Sequence, residues 1–316
     1  MGLVETAAAA ISWLGRQGTR AVAALVLIGI ALPWIGALLK PYVTEAVFVL
    51  LCIAFLRVDI DALKNCLRRP AVALAATAWT SVAVPILFGL GCIAFGLPDQ
   101  APELYLSLML QAVASPMMAA PAFAVLMRLD ATLVLVTLIA STVLIPFTAP
   151  LFAMVFVGPI LSLSPLALGI KLFTILAGAA LVGFVARRIM GPAAIMRYKE
   201  PIDGINILAL FVFMMAIMEG VGARFISAPA GTAAMLVFAL AVFLALFFIT
   251  ALLFLPTGRE RSLSVAFLVS QRNMGLMLAA TAGVVPDLTW LYFALAQFPI
   301  YLSPYCFNRW RGGLRR

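Results

Sequence analysis

The sequence predicts an all-α polytopic membrane protein with ten transmembrane helices. Of its 316 residues, 65% are hydrophobic and only 10% are charged, whereas soluble domains carry about 25% charged residues. Apolar runs long enough to cross a bilayer, about 20 residues each, recur along the whole chain. This composition excludes an ordinary water-soluble globule and leaves no linker long enough to hold a separate soluble domain.

The elements follow from the apolar runs in chain order. Residues 1–20 have an acidic rather than a basic beginning and no clear cleavage site, so they predict an interfacial amphipathic helix and not a signal peptide. The spans that follow are predicted at about 21–39, 44–57, 71–96, 104–127, 131–158, 165–186, 202–222, 230–255, 262–284 and 288–308.

The distribution of lysine and arginine predicts the direction of each span. With a cytoplasmic N-terminus, the outer segments hold only Lys40 and Arg224, whereas the inner segments hold clusters such as 57–69, 187–199 and 309–316. Cytoplasmic loops are enriched in basic residues. We therefore expect both termini on the cytoplasmic side, in the plasma (inner) membrane.

Ten spans divide into two five-helix halves, residues 21–158 and 159–316, and an odd number per half forces the second half to run inverted. Many secondary transporters are built from such inverted repeats, with discontinuous helices at corresponding positions. Spans 4 and 9 would then be counterparts. Pro116 and Pro121 lie near the centre of span 4, and Arg272 lies near the centre of span 9. Because proline breaks helices, we expect broken helices 4 and 9 that cross at the membrane midplane.

Other function classes lack the residues they need. The chain has no histidine, and its four cysteines have no metal-like spacing. No acidic residue lies near the centre of a predicted span, which argues against a proton-coupled carrier. The basic residues that give the net charge of +9 lie in short clusters between apolar runs, so we expect no nucleic-acid partner. We predict that the protein is not an enzyme and has no metal site or cofactor.

Four segments give the sequence a resemblance to the bile acid:sodium symporter family of ten-helix transporters. These segments are FLRVDIDALKNCLRRP (55–70), ASPMMAAPAFAVLMRLDATL (114–133), ASTVLIPFTAPLF (140–152) and SQRNMGL (270–276). The resemblance implies a panel of helices 1, 2, 6 and 7 and a core of helices 3–5 and 8–10. It also implies alternating-access transport of small organic anions, often coupled to sodium.

The same resemblance identifies positions at which this chain departs from sodium-coupled relatives. Ala120 and Ala122 correspond to the region of a Ser-Asn pair, Leu268 to an acidic residue, Trp79 to a glutamine and Arg272 to another glutamine. Sodium, like other hard cations, prefers oxygen ligands, and these side chains supply none. We keep Na⁺ as a candidate coupling ion, but these substitutions argue against the usual two-sodium mechanism.

Arg272 is the residue that most needs an explanation, because an arginine at the bilayer centre costs at least about 2.5–3.5 kcal/mol. Three roles remain open: binding an anionic substrate through its planar fork, replacing lost sodium with a fixed charge, or clamping the broken helix. The predicted substrate or ion pathway comprises Arg272, Asn273, Gln271, Ser270, Gln111, Ser115, Pro116, Pro121, Thr137 and Ser141.

The sequence therefore predicts a secondary active transporter of an organic anion, with membrane lipid and the substrate as its partners. Two alternatives stay open. One is a non-transporting membrane sensor or receptor of transporter descent. The other is a sodium-coupled symporter that uses mainly backbone ligands.

Overall fold

The computed structural model describes residues 11–13, 28–58, 70–161, 163–281 and 284–313 of the chain. Within those ranges the secondary structure is helical, and the only strand-like feature is an isolated bridge between two residues. The predicted interfacial helix over residues 1–20 lies outside the described residues, apart from residues 11–13, which are helical. The predicted loop at 59–69 also lies outside them.

The helices share short connections and high apolar content. In chain order they are α1 (Pro33–Leu39), α2 (Val43–Leu56), α3 (Pro70–Ala78), α4 (Val84–Ala94), α5 (Leu97–Gln100), α6 (Pro102–Val113), α7 (Ala120–Leu126), α8 (Ala131–Phe152), α9 (Pro165–Arg197), α10 (Lys199–Ile217), α11 (Val221–Ser227), α12 (Pro229–Phe254), α13 (Arg259–Ser270), α14 (Met274–Thr281) and α15 (Asp287–Gly313). A π-helical turn, Trp79–Ala83, joins α3 to α4.

Six helical segments within the described residues are long and apolar enough to cross a membrane. They are Pro33–Leu56, Ala71–Ala94, Ala131–Val157, Pro165–Arg197, Lys199–Ser227 and Pro229–Thr257. These segments and the composition establish an integral membrane protein. Spans 4 and 9 of the predicted ten are not among the six because each is divided into two helices of 7 to 12 residues, shorter than the about 20 that a crossing needs.

The sixth predicted span is longer in the structure than the sequence indicates. We predict its end near residue 186, where Arg187 and Arg188 begin a basic cluster, but α9 continues to Arg197 and is kinked at Gly191. Charged residues do not end a helix, and Nη1 of Arg187 donates to the carbonyl of Leu56, 3.0 Å away. The basic cluster therefore lies mostly on helix rather than in a loop.

The chain folds into two compact units, and the first comprises residues 1–58 and 173–229. In this unit α2, α9 and α10 pack around a small apolar cluster that includes Ile53, Ile195 and Ile202. An ion pair of 2.6 Å joins Arg57 at the end of α2 to Asp203 in α10. A second ion pair, 2.9 Å between Lys40 and Glu219, lies at the other end of the same helices.

The second unit comprises residues 59–172 and 230–316, and it contains both interrupted spans. Helix α8 packs against α3, the π turn, α6, α7 and α13. It begins at Asp130, whose side chain accepts a hydrogen bond of 2.9 Å from the backbone N–H of Leu133. Ser264 of α13 in turn accepts from the N–H of Asp130 at 2.9 Å, which ties the start of α8 to α13.

The close approach of α9 and α2 yields the first prediction. A Cβ added at Gly183 would lie 2.7 Å from the Cys52 carbonyl oxygen and 2.7 Å from Phe55 Cβ. Because backbone atoms cannot move aside, we expect Gly183→Ala to cost about 1–3 kcal/mol and to lower the melting temperature of the purified protein. Gly91→Ala is the matched control, since a Cβ there meets no described residue within 4 Å. Equal melting temperatures for the two variants would contradict the described packing.

Candidate functional site

The first interruption separates α6, which ends at Val113, from α7, which begins at Ala120. Pro116 lies inside the interruption, where its missing N–H removes one helical hydrogen bond. Pro121 lies in the first turn of α7, where helices tolerate proline because the N–H has no intrahelical partner. The two prolines therefore act differently: Pro116 belongs to the break, and Pro121 begins the helix after it.

The second interruption separates α13, which ends at Ser270, from α14, which begins at Met274. Asn273 caps α14, because its side-chain oxygen accepts a hydrogen bond of 3.1 Å from the N–H of Leu276. The Ser270 hydroxyl donates back to the carbonyl of Phe267 at 2.9 Å. Both interruptions lie where the sequence predicts them.

The two interruptions pair with each other through their backbones. Pro116 and Arg272 form an isolated antiparallel bridge. The N–H of Met117 donates to the Gln271 carbonyl at 2.6 Å, and the N–H of Asn273 donates to the Ser115 carbonyl at 2.8 Å. Backbone groups freed by breaking two helices are thus satisfied by the other break, as a non-polar environment requires.

The Arg272 side chain is buried beside this pairing, with 1% of its surface exposed. Its Nη1 donates to the Ala114 carbonyl at 2.9 Å and to the Thr80 carbonyl at 3.4 Å. No salt bridge to Arg272 is found among the described residues. Carbonyl dipoles rather than a carboxylate therefore stabilise its charge.

Each of the two carbonyls has lost its usual donor within its own helix. Ala114 stands at the break, so no helical turn follows it. In the π turn the N–H of Val84 donates to the Trp79 carbonyl, and Pro85 has no N–H to offer. The Thr80 carbonyl is therefore available to Arg272. Thr80 is not among the predicted site residues, although Pro85 inside an apolar span was a readable signal of a freed carbonyl nearby.

The ends of the two half-helices also favour a positive charge here. α6 and α13 terminate at the break with their carboxyl ends, and a helix carboxyl end carries a partial negative charge. Such ends of discontinuous helices commonly hold cations in transporters. A guanidinium in this position can do part of what a bound cation would do.

The other predicted pathway residues occupy several positions around the breaks. Gln111, one turn before the first break, accepts a hydrogen bond from the hydroxyl of Tyr292 in α15. Gln271 donates through Nε2 to the Ser303 hydroxyl at 2.7 Å. Tyr292 and Ser303 were not predicted, because a tyrosine or serine in an apolar run has no pattern that distinguishes a site from packing.

Thr137 and Ser141 are buried in α8, four residues apart and so on one face of the helix. Thr137 Oγ1 and Ser141 Oγ have no hydrogen-bond partner among the described residues, and neither does Thr142 Oγ1. Buried hydroxyls in helices usually donate to a carbonyl one turn back, as Thr80 does to Ala76 at 2.7 Å. Three unpartnered hydroxyls on one helix are unusual.

The positions at which sodium-coupled relatives carry polar residues are largely apolar in this structure. Ala120 and Leu268 are buried in one hydrophobic cluster together with Phe123 and Phe267. Ala122 is exposed. Trp79 donates through Nε1 to the Thr250 hydroxyl at 2.9 Å and so is bound to α12. These side chains offer a cation no oxygen ligand.

Paired breaks in long apolar helices define the class of protein as a membrane transporter with discontinuous helices. The family model described as the Sodium Bile acid symporter family matches residues 44–228, more than half of the chain and including the first break. The protein belongs to this family, whose members are symporter-type transporters and not enzymes. A search among curated proteins found no match to the chain.

The cap of α14 provides a test of the second break. Asn273→Ala removes the acceptor for the Leu276 N–H, so we expect a loss of about 1 kcal/mol and a lower melting temperature. Asn273→Ser keeps a capping oxygen and serves as the control, with a melting temperature near that of the wild type. A wild-type melting temperature for Asn273→Ala would mean that this cap does not stabilise α14.

Proposed function

We propose that the protein is a secondary active transporter of an organic anion in which Arg272 replaces a coupling sodium ion by a fixed positive charge. Family membership supports a bile acid or organic anion symporter-like transporter. The single observation that carries the finer proposal is the buried guanidinium at the paired breaks, held by the carbonyls of Ala114 and Thr80.

The physical argument compares what a sodium ion and a guanidinium would each do at this point. A cation between the carboxyl ends of α6 and α13 screens their partial negative charges and holds the two breaks together. Arg272 does both without leaving, since it is covalently attached and keeps its charge. Binding of a coupling ion would then not be needed to complete the core, and transport would proceed without a sodium gradient.

The proposal includes the architecture that the sequence predicts. We propose ten spans in two inverted five-helix repeats, residues 21–158 and 159–316, with both termini cytoplasmic and the protein in the plasma (inner) membrane. We also propose that a panel of spans 1, 2, 6 and 7 and a core of spans 3–5 and 8–10 perform alternating access. The two compact units, residues 1–58 with 173–229 and residues 59–172 with 230–316, support this grouping.

A direct substrate-anchor role for Arg272 is less well supported, because only 1% of the side chain is exposed in this conformation. A large organic anion would need other residues near the breaks to move before it touched the guanidinium. Gln111, Asn273 and Ser115 remain in the proposed pathway because they lie beside the paired segments.

Uptake by proteoliposomes tests transport and sodium coupling together. A thermal-shift screen of organic anions selects the labelled substrate, and uptake is measured with an inward sodium gradient and with choline in its place. We expect saturable uptake that is the same in both. Stabilisation by an anion that is never taken up would favour a sensor or receptor. Uptake that requires sodium would favour a symporter with backbone ligands.

Arg272 variants test the fixed-charge role in the same assay. We expect Arg272→Gln to abolish uptake without creating sodium dependence, because it removes the charge between two helix ends and leaves freed carbonyls unpaired. Arg272→Lys, which keeps the charge, should retain measurable uptake if it folds. Arg261→Gln is the control, since Arg261 is exposed on the same interrupted span. A fully active Arg272→Ala would exclude every role proposed for this residue.

A further inference from the structure

We propose that Arg272 also forms part of a buried site for a small inorganic anion such as chloride. The inference deepens the proposed function, and it rests on that function only for the assignment of Arg272 as a permanent charge. The anion would be held side-on by Nε and Nη2 of Arg272, with the hydroxyls of Thr137 and Ser141 as further donors.

The guanidinium uses only one of its three nitrogens to bind the carbonyls of Ala114 and Thr80. Nη1 donates to both carbonyls, whereas Nε and Nη2 have no hydrogen-bond partner among the described residues. Nε and Nη2 are the two nitrogens of the side-on edge, the pair of donors that arginine presents to an anion. The edge suited to an anion is therefore the one that the protein leaves unpaired.

Charge balance points in the same direction. Buried charges are normally paired, because an isolated ion in a medium of low dielectric constant is costly. Arg272 forms no salt bridge within the described part of the chain, and carbonyl dipoles compensate its charge only in part. A singly charged anion at the free edge would complete the compensation.

The unpartnered hydroxyls of α8 lie on the helix that borders this region. Leu133 and Val136 of α8 pack in one cluster with Ala76 and Val84, which flank the π turn that carries Thr80. Thr137 follows Leu133 by one helical turn and Ser141 follows Thr137 by another, so all three share one ridge. Hydroxyl groups on this ridge can donate to an anion bound near Thr80 and Arg272.

Burial decides which kind of anion fits. Arg272, Gln271 and Thr137 are each at most 1% exposed, so the closed site admits a small ion and not a bulky organic molecule. The carboxylate of a substrate has the same chemistry toward the guanidinium edge, and the experiment must separate the two sources.

The test titrates purified full-length protein in choline gluconate with choline chloride, choline bromide, choline acetate or sodium gluconate, and follows melting temperature and binding heat. We expect saturable stabilisation by chloride and bromide, with no effect of sodium gluconate. Stabilisation by acetate alone would overturn the inorganic-anion site and assign the edge to a substrate carboxylate. The absence of any saturable halide response would also overturn it.

A matched pair of variants on one helix keeps the test independent of whether Arg272 variants fold. Thr137→Val removes an unpartnered hydroxyl, whereas Thr148→Val removes one that already donates to the Leu144 carbonyl at 3.2 Å. Loss of one hydrogen bond to a charged group predicts an apparent chloride affinity about tenfold weaker for Thr137→Val and unchanged for Thr148→Val. Where Arg272→Lys folds, it should lose the side-on pair and most of the halide response.

Equal chloride affinities for wild type, Thr137→Val and Arg272→Lys would contradict the site. Uptake of the labelled organic anion in chloride and in gluconate, measured in the same wild-type proteoliposomes, separates this outcome from failure of the proposed function. A protein that binds chloride but transports nothing would retain the anion site and lose the transporter assignment. A protein that transports but does not bind halide would do the reverse.

Discussion

The burial of one guanidinium where two interrupted helices meet is the constraint to which the surrounding structure responds. Removing a charge from water is costly unless hydrogen bonds and opposite charge compensate it. Here the compensation comes from backbone carbonyls, and a backbone carbonyl inside a helix becomes available only where the helix is broken or distorted. The break before Pro116 frees Ala114, and the π turn before Pro85 frees Thr80. Three helical irregularities thus converge on one side chain.

This arrangement also explains why the breaks occur in pairs. An interrupted helix in a non-polar environment leaves N–H and carbonyl groups that water cannot satisfy. The antiparallel bridge between Pro116 and Arg272 lets each break satisfy the other, while Asn273 caps the helix that follows. A polar centre with few side-chain ligands is therefore built mainly from main-chain groups.

The family to which the chain belongs is described by sodium coupling, and the site has the features of a cation-stabilising centre without the oxygen side chains expected of one. Leu268 and Ala120 extend an apolar cluster to the edge of the breaks, and Trp79 is bound to Thr250. A covalently attached charge in a site that elsewhere binds an exchangeable ion changes what can regulate transport. Control would then pass to whatever binds the free edge of the guanidinium.

The membrane class, the positions of both breaks and the importance of Arg272 could be predicted from the sequence, because apolar length, proline and a central charge act locally or through the lipid. The partners of Arg272 could not. The carbonyls of Ala114 and Thr80 carry no side-chain signature, and Tyr292 and Ser303 reach Gln111 and Gln271 from a helix distant in the chain. The length of α9 also escaped prediction, because charge marks a membrane boundary but does not end a helix. Only tertiary packing decides which freed backbone group meets which donor, since every residue has the same backbone groups and their availability depends on the neighbouring helices.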